Sequence, residues 1–527
     1  MKFRFFVIIL LLLSVLGCAR RGNPSGGPKD ESEPILIRTI PEFKSIQFNE
    51  KEIKIYFDEY IKLKDLQKHL VVSPPLKYPA IVTPLGTPSK KITISIQDTL
   101  LKNTTYTFNF GESIIDNSEG NILSNFKYIF STGSYIDSLS IQGVITDAFS
   151  KKKNEYISVF LYPADTTFND STIYKEKPLY VANTLDSIGW KIDNIKQGKY
   201  HLIAIKDENK NYLFDAKKDK IGYIDSIITI PIEKKITVKL FQEELPFKLI
   251  NGLEVSKGHV VFGYEGNVNK LNIKPIQKNI KYTTTFDKKK DSVHFYYKTD
   301  KKLDSLQFVL TTGNVKEEKT VKLRSKVEMD SLKITSNLRG ILHLADTLII
   351  MGNNPLEKID KKGIYFVDKD SVKVTYVIAK KGKQIKFIFD KKEEQNYQLR
   401  LLPKTITDFF GQQQKDTLNY TFRTKRKDNY GSISLNITGV KKQIIVQLLT
   451  DKEEIVQEKI STENKIVEFN LLKPAKYTIR IITDSNANKK WDTGNYRSKL
   501  QPEKVIYFNG EINVKENWFV KEAIDLK

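Results

Sequence analysis

The stretch Thr105–Thr132, TYTFNFGESIIDNSEGNILSNFKYIFST, carries the pattern that decides the fold. Its opening places Tyr106, Phe108 and Phe110 at alternate positions, and the closing FKYIFST repeats this spacing. Because successive side chains of a strand point to opposite faces, both runs predict strands that bury one aromatic face. Between them, IIDNSEGN predicts a turn in which Gly120 can adopt a positive φ.

The same period-two alternation continues through most of the chain, for example in EIKIYFDEY and KITISIQ, and turn residues such as SPP and PLGTP separate the runs. One short helix is predicted in IKLKDLQKHL, with Ile61, Leu66 and Leu70 on one side. Short strands divided by regular turns predict an all-β fold of tandem β-sandwiches in series. The 527 residues are enough for several such domains.

Residues 34–137 resemble a bacterial Ig-like domain of the surface-layer type, through IKIYFDEYI, LVVSPP and the opening stretch. The late stretch Tyr397–Thr424, YQLRLLPKTITDFFGQQQKDTLNYTFRT, repeats this arrangement, so residues 329–427 are predicted to form a second, divergent Ig-like domain. The matched positions are Tyr397 with Tyr106, Asp408 with Asp116 and Gly411 with Gly120. Residues 245–328 also alternate and predict a further β-sandwich, here called the middle segment, with no family assigned.

A second repeat joins Gly198–Asp215, GKYHLIAIKDENKNYLFD, and Ala475–Asp492, AKYTIRIITDSNANKKWD. In both copies a tyrosine precedes an aspartate by seven residues and a further aspartate follows by eight, which indicates a duplicated domain. Residues 138–244 and 428–527, here called the first and second loop-bearing segments, resemble transthyretin-like (carboxypeptidase-regulatory-like) β-sandwiches. In that family a G-x-V-x-D strand opens the fold and a GKY-type strand precedes a hairpin.

Each repeated loop offers oxygen ligands at alternate positions, as calcium-binding loops do. The predicted calcium ligands are Asp207, Asn209, Asn211 and Asp215 in the first loop and Asp484, Asn486, Asn488 and Asp492 in the second. Neither loop has the glycine at position six or the acidic residue at position twelve of an EF-hand. The alternative is a hairpin whose Asp and Asn side chains accept backbone hydrogen bonds, with an asparagine in the left-handed region. Phe214 and Trp491 would then pack the loops onto their sandwiches. No other cofactor is expected.

The N-terminal MKFRFFVIILLLLSVLGCARRG combines basic residues, an apolar run and a VLGC stretch that resembles a bacterial lipobox. Residues 1–17 are therefore predicted to be a signal peptide, and Cys18, the only cysteine, to be the lipidated residue. Residues 18–33 read as a flexible tether rich in Gly, Pro and Ser. Its GGPKD resembles the tethers of Bacteroidota outer-membrane lipoproteins. This resemblance implies a protein anchored by lipid to the outer membrane, with the cell surface favoured over the periplasmic face.

Motifs of common enzymes are absent from the sequence, which has no Gly-x-Ser-x-Gly, no His-Glu-x-x-His and no phosphate- or dinucleotide-binding fingerprint. The five histidines are scattered, with no two at metal-ligand spacing, and His201 and His294 are predicted to be surface or edge residues of strands. We therefore expect no catalytic activity.

The formal net charge of +23 suits anionic lipid headgroups, lipopolysaccharide or an acidic protein face, and an exported protein rarely meets nucleic acid. A lysine-rich, solvated surface accounts for the charge equally well. The sequence thus predicts a non-catalytic scaffold, or an accessory subunit of an outer-membrane complex for barrel assembly, export or uptake, with an outer-membrane protein as partner. The alternative is a cell-surface adhesin or glycan-binding protein.

Overall fold

A computed structural model describes residues 30–266, 271–287, 290–313, 315–324 and 327–526. The predicted signal peptide, Cys18 and most of the tether lie outside these residues. The chain divides into two compact units, each described here by itself. Unit 1 holds the described residues up to Val144, Glu155–Ile203 and Ser226–Thr237. Unit 2 holds Ile145–Asn154, Ala204–Asp225 and the described residues from Val238 onward.

The all-β prediction is confirmed, because strands form nearly all of the regular structure. The first Ig-like segment contains β1 (Leu36–Ile40), β2 (Glu52–Leu63), α1 (Leu66–His69), β3 (Val71–Ser73), β4 (Ile81–Thr83), β5 (Ser89–Ser95), β6 (Thr105–Asn109), β7 (Ile114–Asp116) and β8 (Lys127–Ser131). One sheet has the order β1-β2-β5-β4, with β7 also on β2, and the other has the order β3-β6-β8. Ile61 pairs with Ser89 and Asp116, which keeps β2 extended, so the predicted helix begins only at Leu66.

The opening stretch forms its two strands as predicted, since β6 pairs directly with β8 and places Tyr106 opposite Phe130. The intervening residues are not only a turn, because β7 pairs with β2 of the other sheet. Phe130 is fully buried and stacks on Phe48 at 3.9 Å between ring centroids and on Tyr106 at 5.5 Å. The aromatic face of the stretch therefore forms the centre of this core.

The first loop-bearing segment contains β9 (Leu139–Asp147), β10 (Ser158–Pro163), β11 (Tyr180–Asn183), β12 (Gly189–Ile195), β13 (Gly198–Lys206), β14 (Lys220–Tyr223), β15 (Ile228–Ile230) and β16 (Ile236–Leu240). Strands β9 and β13 contribute residues to both units. In unit 1, β10 pairs with β11, β12 with β9 and β15 with the start of β13. Gly143 in β9 is required by close approach, because a Cβ there would lie 2.0 Å from the Ile236 carbonyl oxygen and 2.7 Å from the Trp190 ring.

The middle segment contains β17 (Lys248–Leu249), β18 (Leu253–Ser256), β19 (His259–Glu265), β20 (Asn272–Pro275), β21 (Lys281–Asp287), β22 (Ser292–Lys298), β23 (Ser305–Thr312) and β24 (Val315–Lys322). Its first sheet runs β17-β19-β22-β21, with β18 also on β19, and the second runs β20-β23-β24. Phe262, Phe295 and Phe308 meet edge to face between the two sheets. The segment therefore has a core of its own.

The second Ig-like segment contains β25 (Ile334–Ser336), β26 (Leu348–Gly352), β27 (Leu356–Ile359), β28 (Ile364–Asp368), β29 (Tyr376–Lys381), β30 (Gln384–Phe389), β31 (Asn396–Leu401), β32 (Ile406–Asp408) and β33 (Leu418–Arg423). Its sheets are β25-β26-β30-β29, β27-β32 and β28-β31-β33. Tyr397 stacks on Phe422 of the partner strand at 5.4 Å, as Tyr106 does on Phe130. Each tyrosine hydroxyl also accepts a hydrogen bond from the backbone N–H five residues earlier, at 2.9 Å in both copies.

The second loop-bearing segment contains β34 (Gly431–Thr438), β35 (Ile444–Leu449), β36 (Ile455–Ser461), β37 (Lys465–Leu472), β38 (Ala475–Thr483), β39 (Val505–Tyr507), β40 (Ile512–Val514) and β41 (Phe519–Asp525). Its sheets are β37-β34-β41 and β36-β35-β38-β39, with β40 also on β38. The final strand, β41, lies parallel to β34, the first of the segment. Tyr477 of β38 pairs with Ile512 of β40, as Tyr200 of β13 pairs with Ile228 of β15.

Candidate functional site

The two repeated loops leave the ends of β13 and β38 with the same backbone conformation. In the first loop Lys210 and Tyr212 have positive φ, and in the second Ala487 and Lys489 do. These positions lie three and five residues after the first aspartate in both copies. The expected left-handed asparagine is therefore wrong: asparagines lie at neighbouring positions, where their side chains make hydrogen bonds.

A carboxylate closes each loop at its base. In the first, Asp219 accepts hydrogen bonds from the backbone N–H groups of Glu208, at 3.0 Å, and Asp215, at 2.8 Å. In the second, Glu503 accepts them from Ser485 and from Asp492, the latter at 3.2 Å. The two donors are one and eight residues after the first aspartate in both loops. The same closure thus arises from acids at different points along the chain.

The first aspartate of each loop accepts a backbone hydrogen bond from within the turn. Asp207 Oδ2 accepts from the Tyr212 N–H at 2.7 Å, and Asp484 Oδ2 accepts from the Lys489 N–H at 2.8 Å. The two donors, Tyr212 and Lys489, have positive φ and lie five residues after the first aspartate of their loops. Such bonds satisfy donors that the turn would otherwise leave without partners.

The remaining predicted calcium ligands also make hydrogen bonds within their loops. In the second loop the side-chain amides of Asn486 and Asn488 donate to Asp492 Oδ2 at 2.6 and 2.7 Å. In the first loop, Asn209 Oδ1 accepts from Lys218 Nζ at 3.1 Å, Asn211 Oδ1 from the Leu213 N–H at 2.9 Å, and Asp215 Oδ1 from the Lys217 N–H at 3.0 Å. All eight residues therefore lie together in their loops, in the hairpin arrangement that was the alternative to calcium.

The two loops differ in how well they fit a cation. In the second, both oxygens of Asp484 accept hydrogen bonds, including one from the Gln443 amide at 2.6 Å. In the first, Asp207 Oδ1 is buried and accepts none. Burial raises the pKa of the nearby Asp219, and the charges of Asp207 and Asp215 add to the effect. Over the described ranges, no three His, Cys, Asp or Glu side chains converge as a metal site requires. Calcium stays a prediction, and the first loop fits it better than the second.

Trp491 packs against a residue of the other loop-bearing segment. Within unit 2 its ring lies 4.6 Å from that of Phe149, which follows β9. Phe149 also contacts the Arg480 guanidinium, which lies 3.8 Å from its ring centroid. Arg480, only 3% exposed, also donates to Gln447 Oε1 at 2.8 Å and lies 3.8 Å from Glu453 Oε2. We call this arrangement the Phe149 clasp.

A second contact joins the same two segments within unit 2. The Tyr223 and Tyr496 rings meet edge to face at 5.2 Å, and Tyr223 also contacts Phe241. The Tyr496 N–H donates to Glu243 Oε1 at 2.6 Å. These aromatic and polar contacts join the part of the first loop-bearing segment that lies in unit 2 to the second loop-bearing segment.

The Ig-like segments differ in the side chain that pairs with each matched, buried aspartate. In the first, Glu59 shares a hydrogen bond with Asp116, which itself accepts the N–H groups of Ser118 and Glu119. In the second, the register of β27 and β32 puts Asn354 in the place of Glu59, and its amide donates to Asp408 Oδ2 at 2.9 Å. Burial and the Asp116 charge raise the pKa of Glu59 to about 7. The first copy therefore has an acid where the second has a neutral amide.

The histidines take structural positions. His69 is buried beside Tyr156, His201 stacks on Phe168 at 4.1 Å, and His343 Nδ1 lies 3.1 Å from the Tyr430 hydroxyl. His259 and His294 meet across β19 and β22, with Nε2 and Nδ1 2.9 Å apart. His294 is thus half-buried in a pair, not on an open surface as expected. Sequence spacing missed the pair because only strand register brings these residues together.

Comparison with known proteins adds one firm assignment. Residues 30–132 match the family model of a bacterial Ig-like domain. No curated protein sequence matches the chain. In the part of the chain that the structure describes, no helix is long and apolar enough to cross a membrane.

Several solved structures resemble the chain weakly. The SGBP-B protein of the mixed-linkage glucan utilization locus of Bacteroides ovatus, in complex with a heptasaccharide, is 11% identical, with 72% of this chain and 91% of that chain covered and a TM-score of 0.17. The surface layer protein SbsC, domains 1–6, is 10% identical, with coverage of 91% and 67% and a TM-score of 0.14. The BSP domain of a biofilm associated protein is 9% identical, with coverage of 94% and 99% and a TM-score of 0.15. No functional conclusion follows from likeness at this level.

The acid pair should make the bacterial Ig-like domain sensitive to pH. Folded Glu59 keeps its proton up to about pH 7, whereas the unfolded chain releases it near pH 4.5. The folded state binds more protons between these values, so its free energy of unfolding falls as pH rises through them. Glu59→Gln should raise the melting temperature of this domain at pH 8 and change it little at pH 4, as measured by calorimetry. The reverse change in the second Ig-like segment, Asn354→Asp, should introduce the same dependence, and equal effects at both pH values would contradict the assignment.

Proposed function

We propose that this chain is a non-catalytic, lipid-anchored outer-membrane lipoprotein that acts as a multidomain scaffold or accessory subunit of an outer-membrane protein complex for barrel assembly, export or uptake. The observation that carries the proposal is the Phe149 clasp. Within unit 2 it holds the Phe149 loop against the second loop-bearing segment with a nearly buried arginine and two aromatic rings. A protein that presents several surfaces to a larger assembly benefits from such fixed geometry, because less flexibility is lost on binding.

The roles of the polar residues support the same proposal. The repeated loops use their acids and amides to close hairpins, and the histidines pack against aromatic or histidine rings. These contacts are structural, and none of them pairs a nucleophile with a base as covalent catalysis requires. The excess of basic residues suits an acidic protein face or anionic headgroups at the membrane.

Affinity purification from detergent-solubilised outer membranes tests the proposal. The expected result is a stoichiometric outer-membrane protein that copurifies with the tagged chain. Cys18→Ser should release the chain from the membrane fraction, and protease treatment of intact cells should degrade the wild-type protein if it faces outward. A protein that purifies alone from membranes would oppose the scaffold role.

A glycan-binding adhesin remains the second candidate, because two adjacent aromatic residues are exposed at the start of β41. Trp518 is 48% exposed and Phe519 is 55% exposed, and Lys515 lies 4.6 Å from the Trp518 ring centroid. Exposed aromatic rings are suitable platforms for sugars. Retention of the purified chain on a polysaccharide column, lost in Trp518→Ala, would favour this function over the scaffold.

A further inference from the structure

A histidine pair lies on the outer face of the first sheet of the middle segment. His259 on β19 is directly opposite Tyr296 on β22, and His294 is one diagonal step away, opposite Val261. The His259 ring stacks on Tyr296 at 4.2 Å, and its Nε2 lies 2.9 Å from His294 Nδ1. His259 is only 8% exposed, so this face is covered by another part of unit 2.

The second Ig-like segment provides the cover. Phe410, which follows β32, lies 6.2 Å from the Tyr296 ring, and Lys383, between β29 and β30, places its Nζ 5.2 Å from the Tyr296 ring centroid. A Cβ on Gly258 would lie 2.7 Å from Phe410, which shows how closely the segments approach. At the rim, Glu357 of β27 forms ion pairs with Lys281 and Lys298, the latter at 3.7 Å.

We propose that this contact is an acid-operated junction: the histidine pair docks the middle segment onto the second Ig-like segment while both rings are neutral, and protonation releases it. Two neutral imidazoles satisfy the short N···N contact with one shared proton, since one nitrogen donates and the other accepts. A further proton must charge a ring that is enclosed beside Lys383 and has no carboxylate partner within hydrogen-bonding distance among the described contacts. Burying such a charge is costly, whereas an undocked histidine is solvated.

Burial and the cations around the pair act in the same direction, and one carboxylate opposes them. Burial, with the charges of His294 and Lys383, lowers the pKa of His259 to about 3. Burial lowers the pKa of His294, Lys383 and Lys290 lower it further, and Asp287 opposes them. Asp287 and Asp330 also attract Lys383, whose own pKa is lowered by burial. Because the folded pKa values lie below that of a free histidine, docking is fully stable above about pH 6.5 and weakens as pH falls.

The ion pairs of Glu357 at the rim would not open the junction between pH 7.5 and pH 5. Lys281 lowers the pKa of Glu357, so its carboxylate stays charged at pH 5. At pH 5 a free histidine is protonated, whereas docked His259 is not. The ratio of open to closed junctions should therefore rise by up to about 30-fold through His259 between pH 7.5 and pH 5, and the lowered pKa of His294 acts in the same direction.

Distance measurement between two spin labels tests the junction in the chain from residue 18 with Cys18→Ser. Labels on Lys274→Cys of the middle segment and Lys369→Cys of the second Ig-like segment occupy exposed positions. The expected result is a narrow distance distribution at pH 7.5 and a broad one at pH 5, restored on return to pH 7.5. A distribution that is the same at both pH values would overturn the proposal.

Three variants separate the histidines from other acid-sensitive groups. The pair His259→Phe with His294→Phe keeps aromatic rings without titration and should stay narrow at pH 5, whereas His201→Phe in unit 1 should broaden like the wild type. Lys383→Met removes the neighbouring cation and should move the midpoint of opening to lower pH. Acid opening of the double variant, or an unchanged midpoint in Lys383→Met, would count against the proposal even if one substitution loosens the junction at pH 7.5.

Discussion

Arg480→Met should weaken the second loop-bearing segment by about 3 kcal/mol or more, because it leaves the half-buried Glu453 carboxylate and the buried Gln447 amide without their cationic partner. Arg480 is 3% exposed and links Gln447, Glu453 and the Phe149 ring. Methionine retains much of the apolar volume, so the loss reports on charge and hydrogen bonding. Urea unfolding followed by the fluorescence of Trp491, in a chain with Trp190→Phe and Trp518→Phe, measures the effect next to the clasp.

A matched control comes from an exposed ion pair in the same segment. Lys476 and Glu511 lie 2.9 Å apart with side chains 66% and 58% exposed, so solvent screens the pair and Lys476→Met should change the stability little. Phe149→Ala should reproduce part of the Arg480→Met effect, because it removes the ring between the guanidinium and Trp491. If Arg480→Met cost no more than Lys476→Met, the clasp would not hold the segments together.

Phe130→Ala should have the largest effect on the bacterial Ig-like domain, at about 3–5 kcal/mol, because it removes a fully buried ring from the centre of the core. The cavity would face Phe48, Tyr106, Phe108 and Tyr128, all of which contact this ring. The domain has no tryptophan, so hydrogen exchange of the β6 amides, measured by mass spectrometry of its peptides, is the suitable readout.

The second Ig-like segment supplies a reciprocal control. Phe422 is 2% exposed and stacks on Tyr397 as Phe130 stacks on Tyr106. Phe422→Ala should speed exchange in β31 and leave β6 unchanged, and Phe130→Ala should do the opposite. Substitution of an exposed residue, Tyr135→Ala, should alter the hydrogen exchange of neither β6 nor β31, because the Tyr135 ring is 60% exposed. Faster exchange in β31 on Phe130→Ala would show that the aromatic cores are not independent.

Local pattern explains why the strands could be predicted. Tyr106, Phe108 and Tyr397 alternate with polar neighbours, and the side-chain period of a strand is visible in any single run. The repeated spacing from Tyr477 to Asp484 likewise located the second loop, and the structure places both loops after equivalent strands. The resemblance to transthyretin-like domains and the lipid anchor on Cys18 stay predictions.

Contacts between distant residues could not be predicted in the same way. The carboxylate that closes the loop is Asp219 in one copy and Glu503 in the other. Its separation from the first aspartate differs between the copies, so the spacing of the repeat does not predict it. His259 and His294 meet only through the register of two strands. The partners of Arg480 come from β35, the β35–β36 turn and the Phe149 loop, and no period in the sequence relates these elements.

The parallel pairing of β41 with β34 sets an order of folding events for a chain that emerges from the ribosome N-terminus first. Ser432–Thr438 line up with Phe519–Asp525, so one side of β34 has no neighbour until the last of these residues has emerged. Until then the segment presents an unprotected edge that can recruit strands of other chains. In the N-terminal bacterial Ig-like domain, both sheets are formed by strands of that domain alone, so their pairing does not depend on residues far along the chain. Pairing of β41 with β34 is therefore the step at which folding of this segment and aggregation compete.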